Sequence, residues 1–534
     1  MMFSKFGFLF NKSLPNWKKI LDGKILNKKH NKKILIATLS GGHKVASTID
    51  SLVGVGLSLK GAHVSYLLCD QFLNNCIMKT HRANVSLKIN NQNNSRLCDD
   101  CYKCGKIAFQ NTNFNFIKLS SYFDYMHEKK IKKILKNNNS LKKILSFKIN
   151  KIDIGEQVNA SICRYYAVSD FAKEKNLGFV AKSYFKSALK SYFSIEELLK
   201  EKKFDTIIVN HGFYIPQGIL AEVARKKNID FVTWTTGAKK NSIIFSHNNI
   251  YYKDFTNEPI SSWKNINLNK VRKKTINYLN SKVLGTKDYK YKDNKVDLDA
   301  SSLFLKNKID LNKPLVGLTT NVIWDAQITY SDTIFKNMME WVFKTIIYFK
   351  KRTDINLIIR VHPTEVNADR PAREKVADRI NKFFKNKLPK NVFIVKPEVE
   401  TSTYSILDKC CSILTYGTKL DIEYAARGFP IIVAGDAITR NKKLVFQPKN
   451  KKEYFKLLDQ LPMIKNNKKN DALKFAYHYF FKRTILIKSL EEVSYSFPPF
   501  KIKDDFLKQF KYDKNLHSIC NSIINKKKFS AISD

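Results

Sequence analysis

One stretch, residues 407–440, constrains the fold of this chain more than any other. A short apolar run, 411–415, ends in a tight turn at 416–418. A segment with apolar residues at helical spacing follows and stops at Gly428, before a second apolar run at 431–434. Apolar runs separated by a glycine turn and an amphipathic segment are typical of a strand–helix–strand unit. The sequence therefore predicts a βαβ unit here and an α/β fold for the chain.

The turn within this unit is a candidate phosphate site. Thr418 and Asp421 have the spacing of a capping box at the start of the helix. Backbone N–H groups and the positive end of the helix dipole point out of the sheet at such a turn, which favours anions. The same pattern also fits a βαβ unit without a ligand.

The chain is long and strongly basic. Its 534 residues favour two large domains over one. Lysine and arginine number 95 against 47 acidic residues, for a formal net charge of +48. Because the lysines are spread along the whole sequence, we favour coding bias with weak attraction to an anionic membrane surface over dedicated nucleic-acid binding.

The sequence predicts no transmembrane helix, because no run of about 18 apolar residues exists. The first ten residues contain four phenylalanines, but Lys5 interrupts them and no small-residue cleavage site follows, so they are not typical of a signal peptide. They fit either an interfacial anchor or a helix packed on the core. We therefore expect a cytoplasmic protein whose cysteines are not paired in disulfides.

The first half of the chain repeats the α/β pattern. An apolar run at 33–38 precedes the turn at 40–43, a helical pattern and another apolar run. A later run, 205–210, leads directly into His211. Open α/β sheets bind ligands at the carboxyl ends of their strands. His211 is therefore a candidate general base or phosphate partner, against the alternative of a loop histidine that only bonds to backbone.

Five of the nine cysteines fall within residues 69–104. A structural zinc ion needs four ligands, which Cys69, Cys76, Cys98 and Cys101 would supply with one cysteine spare. The first pair lacks the spacing of a zinc ribbon, so free thiols and an iron–sulfur cluster stay open as alternatives.

The pattern along the chain predicts five segments. They are an N-terminal extension at 1–30, an α/β domain at 31–263, a connection at 264–312, a second α/β domain at 313–490 and a C-terminal tail at 491–534.

Two motifs of the second domain carry a resemblance. Residues 357–363 resemble the R-x-H-P element of bacterial capsule polysaccharide biosynthesis proteins, and residues 416–430 resemble their donor-nucleotide motif, a small-residue turn followed by E-x-A-x-x-G-x-P. The resemblance covers residues 31–490. It implies the GT-B architecture, in which two Rossmann-like domains face a cleft. It also implies a glycosyltransferase that uses a nucleotide-activated sugar to build a surface polysaccharide at the inner face of the plasma membrane.

The resemblance also implies roles for residues on the donor side. The turn would cradle the phosphates, a glutamate would accept hydrogen bonds from hydroxyl groups, and basic side chains would lie near the diphosphate. The residues in these roles are Tyr416, Gly417, Thr418, Glu423, Arg360, His362 and Arg440. One residue departs from the pattern, because Asp421 stands where many relatives have glycine. Its carboxylate would repel phosphate unless it faces away as a cap.

On the acceptor side, the resemblance implies that His211 or His43 deprotonates a hydroxyl of a glycan or lipid-linked acceptor, with Asp325 as a rival. Several alternatives stay open. One is a related enzyme, either a CDP-glycerol glycerophosphotransferase or a nucleotide-sugar epimerase. Another is a metal-binding, nucleic-acid-binding protein, which the even spread of lysine disfavours. A third is an assembly factor that has lost its chemistry.

Overall fold

The structure is a computed structural model that describes residues 14, 17–21, 31–79, 91–284, 297–325, 333–367, 371–492 and 500–532. Two compact units divide the chain. The first comprises Met1–Tyr166, Phe171–Asp254 and Lys482–Asp534, and the second comprises Ala167–Asp170 and Phe255–Phe481. Each unit is built around its own sheet.

The strands of the described residues are short and mostly buried. In chain order they are β1 (Lys33–Leu39), β2 (His63–Leu68), β3 (Asn115–Lys118), β4 (Lys148–Ile149), β5 (Ile152–Asp153), β6 (Thr206–Asn210), β7 (Phe231–Thr236), β8 (Ser242–His247), β9 (Leu315–Thr319), β10 (Asn356–Arg360), β11 (Val392–Val395), β12 (Ser412–Thr415), β13 (Ile431–Val433), β14 (Ile485–Leu486), β15 (Leu490–Glu492) and β16 (Phe500–Ile502).

The helices surround these strands. In chain order they are Trp17–Leu21, Lys44–Leu59, Asn91–Ala108, Tyr125–Asn137, Leu141–Leu145, Ile154–Tyr166, Leu177–Glu201, Gln217–Lys226, Tyr251–Asn257, Ser261–Lys264, Leu268–Val283, Ser301–Lys306, Met338–Phe349, Thr364–Asn367, Val376–Phe383, Thr403–Leu407, Leu420–Arg427, Lys451–Asp459, Lys469–Tyr477, Phe506–Tyr512 and Lys514–Asn525, with a 3₁₀ turn at Leu119–Tyr122 and a π-helical segment at His478–Arg483.

The sheet of the first unit has the order β14-β8-β7-β6-β1-β2-β3. Strand β1 pairs in parallel with β2 on one side and β6 on the other. The last two strands at one edge, β8 and β14, are antiparallel to their neighbours. Helix Lys44–Leu59 is buried almost all round, and small residues let it pack closely. A Cβ on Gly54 would lie 2.7 Å from the Ile36 Cδ1 atom.

The sheet of the second unit is entirely parallel, in the order β11-β10-β9-β12-β13. Its core contains three polar side chains that are joined by hydrogen bonds. The Trp341 Nε1–H group donates to the Tyr454 hydroxyl at 2.8 Å, and the Thr345 hydroxyl lies 2.9 Å from the same oxygen. Buried tryptophan and tyrosine need such partners because an unpaired polar group in a core is costly.

Each sheet contains five parallel strands, β1, β2, β3, β6 and β7 in the first unit and β9 to β13 in the second. If these five strands are numbered 1 to 5 along the chain within each unit, both sheets have the order 3-2-1-4-5. This is the doubly wound order of Rossmann-like domains. The predicted fold class, α/β with two Rossmann-like units, is therefore confirmed. No helix within the described ranges is both long and apolar enough to cross a membrane.

The long helix after β9 begins at Met338 and is capped by the Asn337 side chain. Two other parts of the chain differ from expectation. The expected connection contains helix Leu268–Val283, with Tyr278 and Leu279 buried. The expected tail forms two helices and β16, because Leu516, Ile519 and Ile523 recur at helical spacing and are buried.

Most of the N-terminal extension lies outside the described residues. Within it, Trp17 is 1% exposed, and its indole N–H donates to the Ala108 carbonyl at 3.0 Å. The Trp17 ring also contacts the Phe506 ring edge-on at 5.6 Å. Of the two expectations for this segment, the described part therefore fits a helix packed on the core.

Candidate functional site

Each sheet reverses its strand order at one point, between β1 and β6 in the first unit and between β9 and β12 in the second. The connections from these strands leave in opposite directions, and open α/β sheets bind ligands in the crevice that results at the carboxyl ends. His43 and His211 follow β1 and β6, whereas Asn321 and Gly417 follow β9 and β12. Predicted site residues therefore lie at both switch points.

Two loops of the second unit interlock through glycines. Gly417 has φ +104°, and a Cβ there would lie 1.8 Å from the Asp436 carbonyl oxygen. A Cβ on Gly435 would lie 2.1 Å from the Tyr416 carbonyl oxygen. The Asn321 amide nitrogen donates to the Gly417 carbonyl at 3.2 Å and ties in the loop after β9. The glycine that the sequence assigned to a phosphate turn is therefore also required by packing between loops.

The turn at Thr418 differs from the predicted capping box. The helix begins at Leu420, and the residue at its cap makes no side-chain capping bond. Instead the Asp421 carboxylate accepts the Thr418 backbone N–H at 3.1 Å. The Thr418 N–H therefore has an acceptor within the protein, and its contact with a donor phosphate stays a prediction.

Asp421 faces inward. It is fully buried, and this burial raises the pKa of its carboxyl to about 7, against the opposing effect of the hydrogen bond from the Thr418 N–H. The carboxyl is therefore protonated below that pH. Asp421, the residue that departs from the donor motif, therefore braces the turn from inside the protein. Of the two bonds of the predicted capping box, the one from the Thr418 N–H to the Asp421 carboxylate is present.

His362 stands at the end of β10, beside the switch point. Its backbone N–H donates to the Thr320 hydroxyl at 3.2 Å, and the Thr320 N–H donates to the Arg360 carbonyl at 3.2 Å. The His362 Nδ1 atom accepts the Thr364 N–H at 3.1 Å. Because a neutral imidazole has one donor and one acceptor nitrogen, this bond places the ring proton on Nε2. The ring is half-buried, and its donor nitrogen is Nε2 when it is neutral.

Arg360 is buried and braces a loop. Its guanidinium donates to the Lys396 carbonyl at 2.7 Å and to the Val399 carbonyl at 2.9 Å, and its Nε lies 3.3 Å from the Thr403 hydroxyl. Arginine satisfies several carbonyls at once because its five N–H groups are arranged in a plane. The structure therefore gives Arg360 a bracing role, and its contact with a diphosphate stays a prediction.

Glu423 is buried at 1% exposure, so it is not a solvated helix residue. The Tyr404 hydroxyl donates to one of its carboxylate oxygens at 2.7 Å. On the same helix Arg427 makes a bidentate ion pair with Asp408. Together these bonds fix the helix that follows the interlocked turn.

Arg440 and Asp325 are the two remaining predicted site residues of the second unit. Arg440 is half-buried in the loop after β13, with its guanidinium 3.5 Å from the Asp436 carboxylate. Asp325 is exposed in a turn closed by its N–H to the Val322 carbonyl at 3.1 Å, and the residues after it are not described. The described contacts neither join Asp325 to His362 nor test its predicted role.

The first unit brings its two candidate histidines together. The ring centroids of His43 and His211 are 6.2 Å apart. His211 has φ +59°, and its N–H donates to the Trp234 carbonyl at 3.0 Å. The Asn210 amide donates to the same oxygen at 3.1 Å. The structure thus joins in one site two residues that are 168 positions apart in the sequence.

Asp50 is a buried carboxyl beneath this pair that the sequence did not single out. It accepts hydrogen bonds from the Thr38 hydroxyl and the Trp234 indole, both at 2.7 Å. Burial raises the pKa of Asp50 to about 7, although both hydrogen bonds lower it. Trp234 therefore links the carboxyl to the backbone that holds His211. The signal in the sequence was a lone acidic residue in a helical segment of mainly apolar and small residues.

The structure does not form the predicted zinc site. Within the described ranges no group of three or more histidine, cysteine or acidic side chains is arranged to hold a metal. Cys69, Cys76, Cys98 and Cys101 lie close enough to interact electrostatically, and burial raises the pKa of all four thiols, that of Cys69 to about 12. None of the four is paired in a disulfide, and the Cys101 sulfur accepts the Gly42 N–H at 3.1 Å.

Comparison with known proteins gives fold-level similarity alone. No family model matches the sequence, and no curated protein matches it. Among solved structures, a KpsC β-Kdo 2,4-transferase from Thermosulfurimonas dismutans is 11% identical with a TM-score of 0.36, and the match covers 57% of this chain and 87% of that one.

Two further solved structures contain nucleotides according to their descriptions. The UDP-GlcNAc 2-epimerase from Methanocaldococcus jannaschii, in complex with UDP-GlcNAc and UDP, is 14% identical with a TM-score of 0.29, covering 83% of this chain and 97% of that one. The S. aureus MnaA–UDP co-structure is 10% identical with a TM-score of 0.26, covering 83% and 91%. Similarities at this level assign no activity, so the functional argument depends on the site itself.

Proposed function

We propose that this chain is a glycosyltransferase that uses a nucleotide-activated sugar in the synthesis of a surface polysaccharide. The observation that carries the proposal is the switch point between β9 and β12. There the loop of Asn321, the interlocked glycine loops and the end of β10 with His362 come together. This is the position at which open α/β sheets bind nucleotides.

The polar groups at this position suit a nucleotide diphosphate. The donor nitrogen of His362 would bond to a diphosphate oxygen and offset the charge that grows as the glycosidic bond breaks. Arg440 would add positive charge nearby. Asp421 does not oppose an anion from the surface because its carboxyl is buried and bonded to the Thr418 N–H.

The acceptor would be activated by the first unit. His211 or His43 would take the proton of a glycan or lipid-linked hydroxyl, and the closeness of the two rings supports assigning them one task. Asp325 is the rival base. In this proposal the protein works in the cytoplasm at the inner face of the plasma membrane, where such acceptors are built.

The first test is thermal unfolding of the full chain in the presence of UDP, GDP, CMP, CDP or dTDP. A ligand that binds the folded state raises the melting temperature by mass action. We expect one nucleotide to stabilise the wild type and His63→Ala, an exposed control at the amino end of β2, but to stabilise His362→Ala much less. Stabilisation by nucleic acid and by no nucleotide would overturn the proposal.

Analysis of the reaction products then distinguishes the proposed glycosyltransferase from related enzymes that would bind a nucleotide at the same site. The sugar derivative of the stabilising nucleotide is incubated with the protein and with crude lipid-linked acceptor. Transfer releases free nucleotide and labels the acceptor. An isomeric nucleotide sugar without release of nucleotide would instead identify an epimerase, and labelling from CDP-glycerol alone would identify a glycerophosphotransferase.

A further inference from the structure

The helices Tyr125–Asn137 and Leu141–Leu145 of the first unit have one face on the protein and one in solvent. Asp124 begins the first of them with a complete capping box, in which its carboxylate accepts the His127 N–H at 2.8 Å. The inward residues His127, Ile131 and Ile144 are buried. The helices are therefore held by their inner side, and their outer side is exposed to solvent.

The outer side is strongly basic and carries two large side chains of mainly apolar surface. Its lysines are all exposed, and Tyr125 and Met126 are 76% and 54% exposed. At 100° per residue, Tyr125 and Met126 share an arc with most of the first helix's lysines. We call this surface the basic face, made of Tyr125, Met126, Lys129, Lys130, Lys132, Lys133, Lys136, Lys142 and Lys143.

Little negative charge opposes these lysines. Residues 125–148 contain a single acidic residue, Glu128, which is bound to Lys186 at 2.8 Å. Asp124 is engaged by His127 at the start of the helix. None of the lysines of the basic face forms an ion pair with any residue in the described part of the chain. Coding bias explains lysine along the whole chain, but not its concentration beside two exposed apolar groups.

We propose that the basic face docks on the surface of an anionic phospholipid bilayer. Clustered lysines attract lipid phosphates and carboxylates within a Debye length of the surface. Tyr125 and Met126 would enter the interfacial region, where side chains with apolar bodies are stable. Nucleic acid fits less well, since residues 125–148 contain no arginine and no exposed aromatic ring besides Tyr125 on which bases would stack.

The test measures binding of the full chain to vesicles of phosphatidylcholine, with and without phosphatidylglycerol. We expect binding to the anionic vesicles alone. The quadruple variant Lys129→Gln, Lys132→Gln, Lys133→Gln and Lys136→Gln should bind at least about tenfold more weakly at low salt. The control removes the same charge from exposed Lys382, Lys385, Lys387 and Lys390 of the second unit, beside half-exposed Phe383, and should retain wild-type binding.

A second variant, Tyr125→Ser with Met126→Ser, separates insertion from charge. At low salt it should bind more weakly than the wild type, but its binding should fall with added salt as steeply as that of the wild type because its lysines are intact, whereas the lysine variant should show a shallower dependence on salt. Equal loss in the control variant, equal binding to neutral vesicles, or binding of duplex DNA in place of vesicles would each overturn the proposal. The docking does not depend on the proposed activity. Thermal unfolding with nucleotide keeps the two proposals apart, since nucleotide should stabilise the lysine variant as much as the wild type.

Discussion

The two units share a strand order and place candidate residues at the same topological point, yet they build that point differently. In the second unit the loops at the switch point are joined to one another, through paired glycines and an asparagine amide. In the first unit the loops are held by a buried side chain of one helix and by the packing of a second helix. Asp50 supports them through Trp234, and helix Asn91–Ala108 packs against the turn at Gly41 and Gly42.

This difference shows that one topology fixes where a site lies but not what stabilises it. In the second unit the loops meet through close glycine contacts, and short polar side chains such as Asn321 bond to the backbone of a neighbouring loop. In the first unit the site depends on side chains brought together from distant parts of the chain. Substitutions at the two switch points should therefore have distinct consequences.

The largest expected effect is on the pH dependence of stability and comes from two buried carboxyls, one near each switch point. Asp50 and Asp421 have pKa values raised by burial from the ordinary 3.8 to about 7. The folded state therefore holds these protons more tightly than the unfolded state. The stability from each carboxyl is complete below pH 4 and is lost as the pH rises to 7, by about 4 kcal/mol for each group.

Melting temperature measured against pH tests this expectation. Asp50→Asn and Asp421→Asn should each flatten the decline between pH 4 and pH 7 and should leave the protein more stable than the wild type above pH 7. Asp504→Asn, an exposed replacement, is the matched control and should follow the wild type. A variant curve parallel to the wild-type curve would show that the carboxyl in question is already ionised at low pH.

The next effect compares the glycines of the two units. Gly417→Ala places a methyl group against the Asp436 carbonyl at a residue with φ +104°, so we expect a loss of about 3 kcal/mol from strain and overlap together. Gly41→Ala brings a Cβ within 2.5 Å of the Gly105 Cα atom and should cost less, because no positive φ is involved. Denaturant unfolding measures both.

Gly178→Ala is the control for these two variants, since a Cβ there meets nothing within 4 Å. It should be neutral or slightly stabilising in its helix. If Gly41→Ala proved as costly as Gly417→Ala, close packing alone would explain both positions, and the distinction between the loops of the two units would fail.

A smaller effect is expected at Tyr404 in the second unit. Tyr404→Phe removes the hydroxyl that donates to the buried Glu423 carboxylate at 2.7 Å, and leaving a buried acceptor without its donor should cost about 2 kcal/mol. Tyr125→Phe, which changes a side chain 76% exposed, should cost nothing measurable. Equal stability of the two variants would mean that water replaces the lost hydroxyl at Glu423.

Local signals in the sequence explain why the fold was predictable. Apolar runs, glycine turns and helical spacing located most of the parallel strands of both units, because each signal lies within about ten residues. The exception is β3, in a stretch whose pattern predicted mostly helix. The C-terminal helix Lys514–Asn525 was missed although its apolar residues have helical spacing, and the surface on which it packs is distant in sequence. A Cβ on Gly56 would lie 2.9 Å from the Cys520 sulfur, across more than 450 residues of chain.

In the candidate site, too, contacts between residues close in sequence were easier to predict than contacts between distant ones. The Thr418–Asp421 bond follows from a spacing of three residues and was half predicted. Asp50 was not, since its partners Thr38 and Trp234 are 12 and 184 positions away. The meeting of His43 and His211 likewise depends on β1 lying beside β6, which no short motif encodes.

The smallest effect concerns the cysteines, where sequence spacing and structure disagree. If the four cysteines near the first switch point are protonated thiols, a chelator should leave the melting temperature unchanged. Cys101→Ser should cost little, because a serine hydroxyl can also accept the Gly42 N–H. A fall in melting temperature with chelator, restored by zinc, would show a bound metal. It would also mean that helix Asn91–Ala108 is held over the first switch point by metal ligands, whereas the protonated thiols leave this task to the close contact between Gly41 and Gly105.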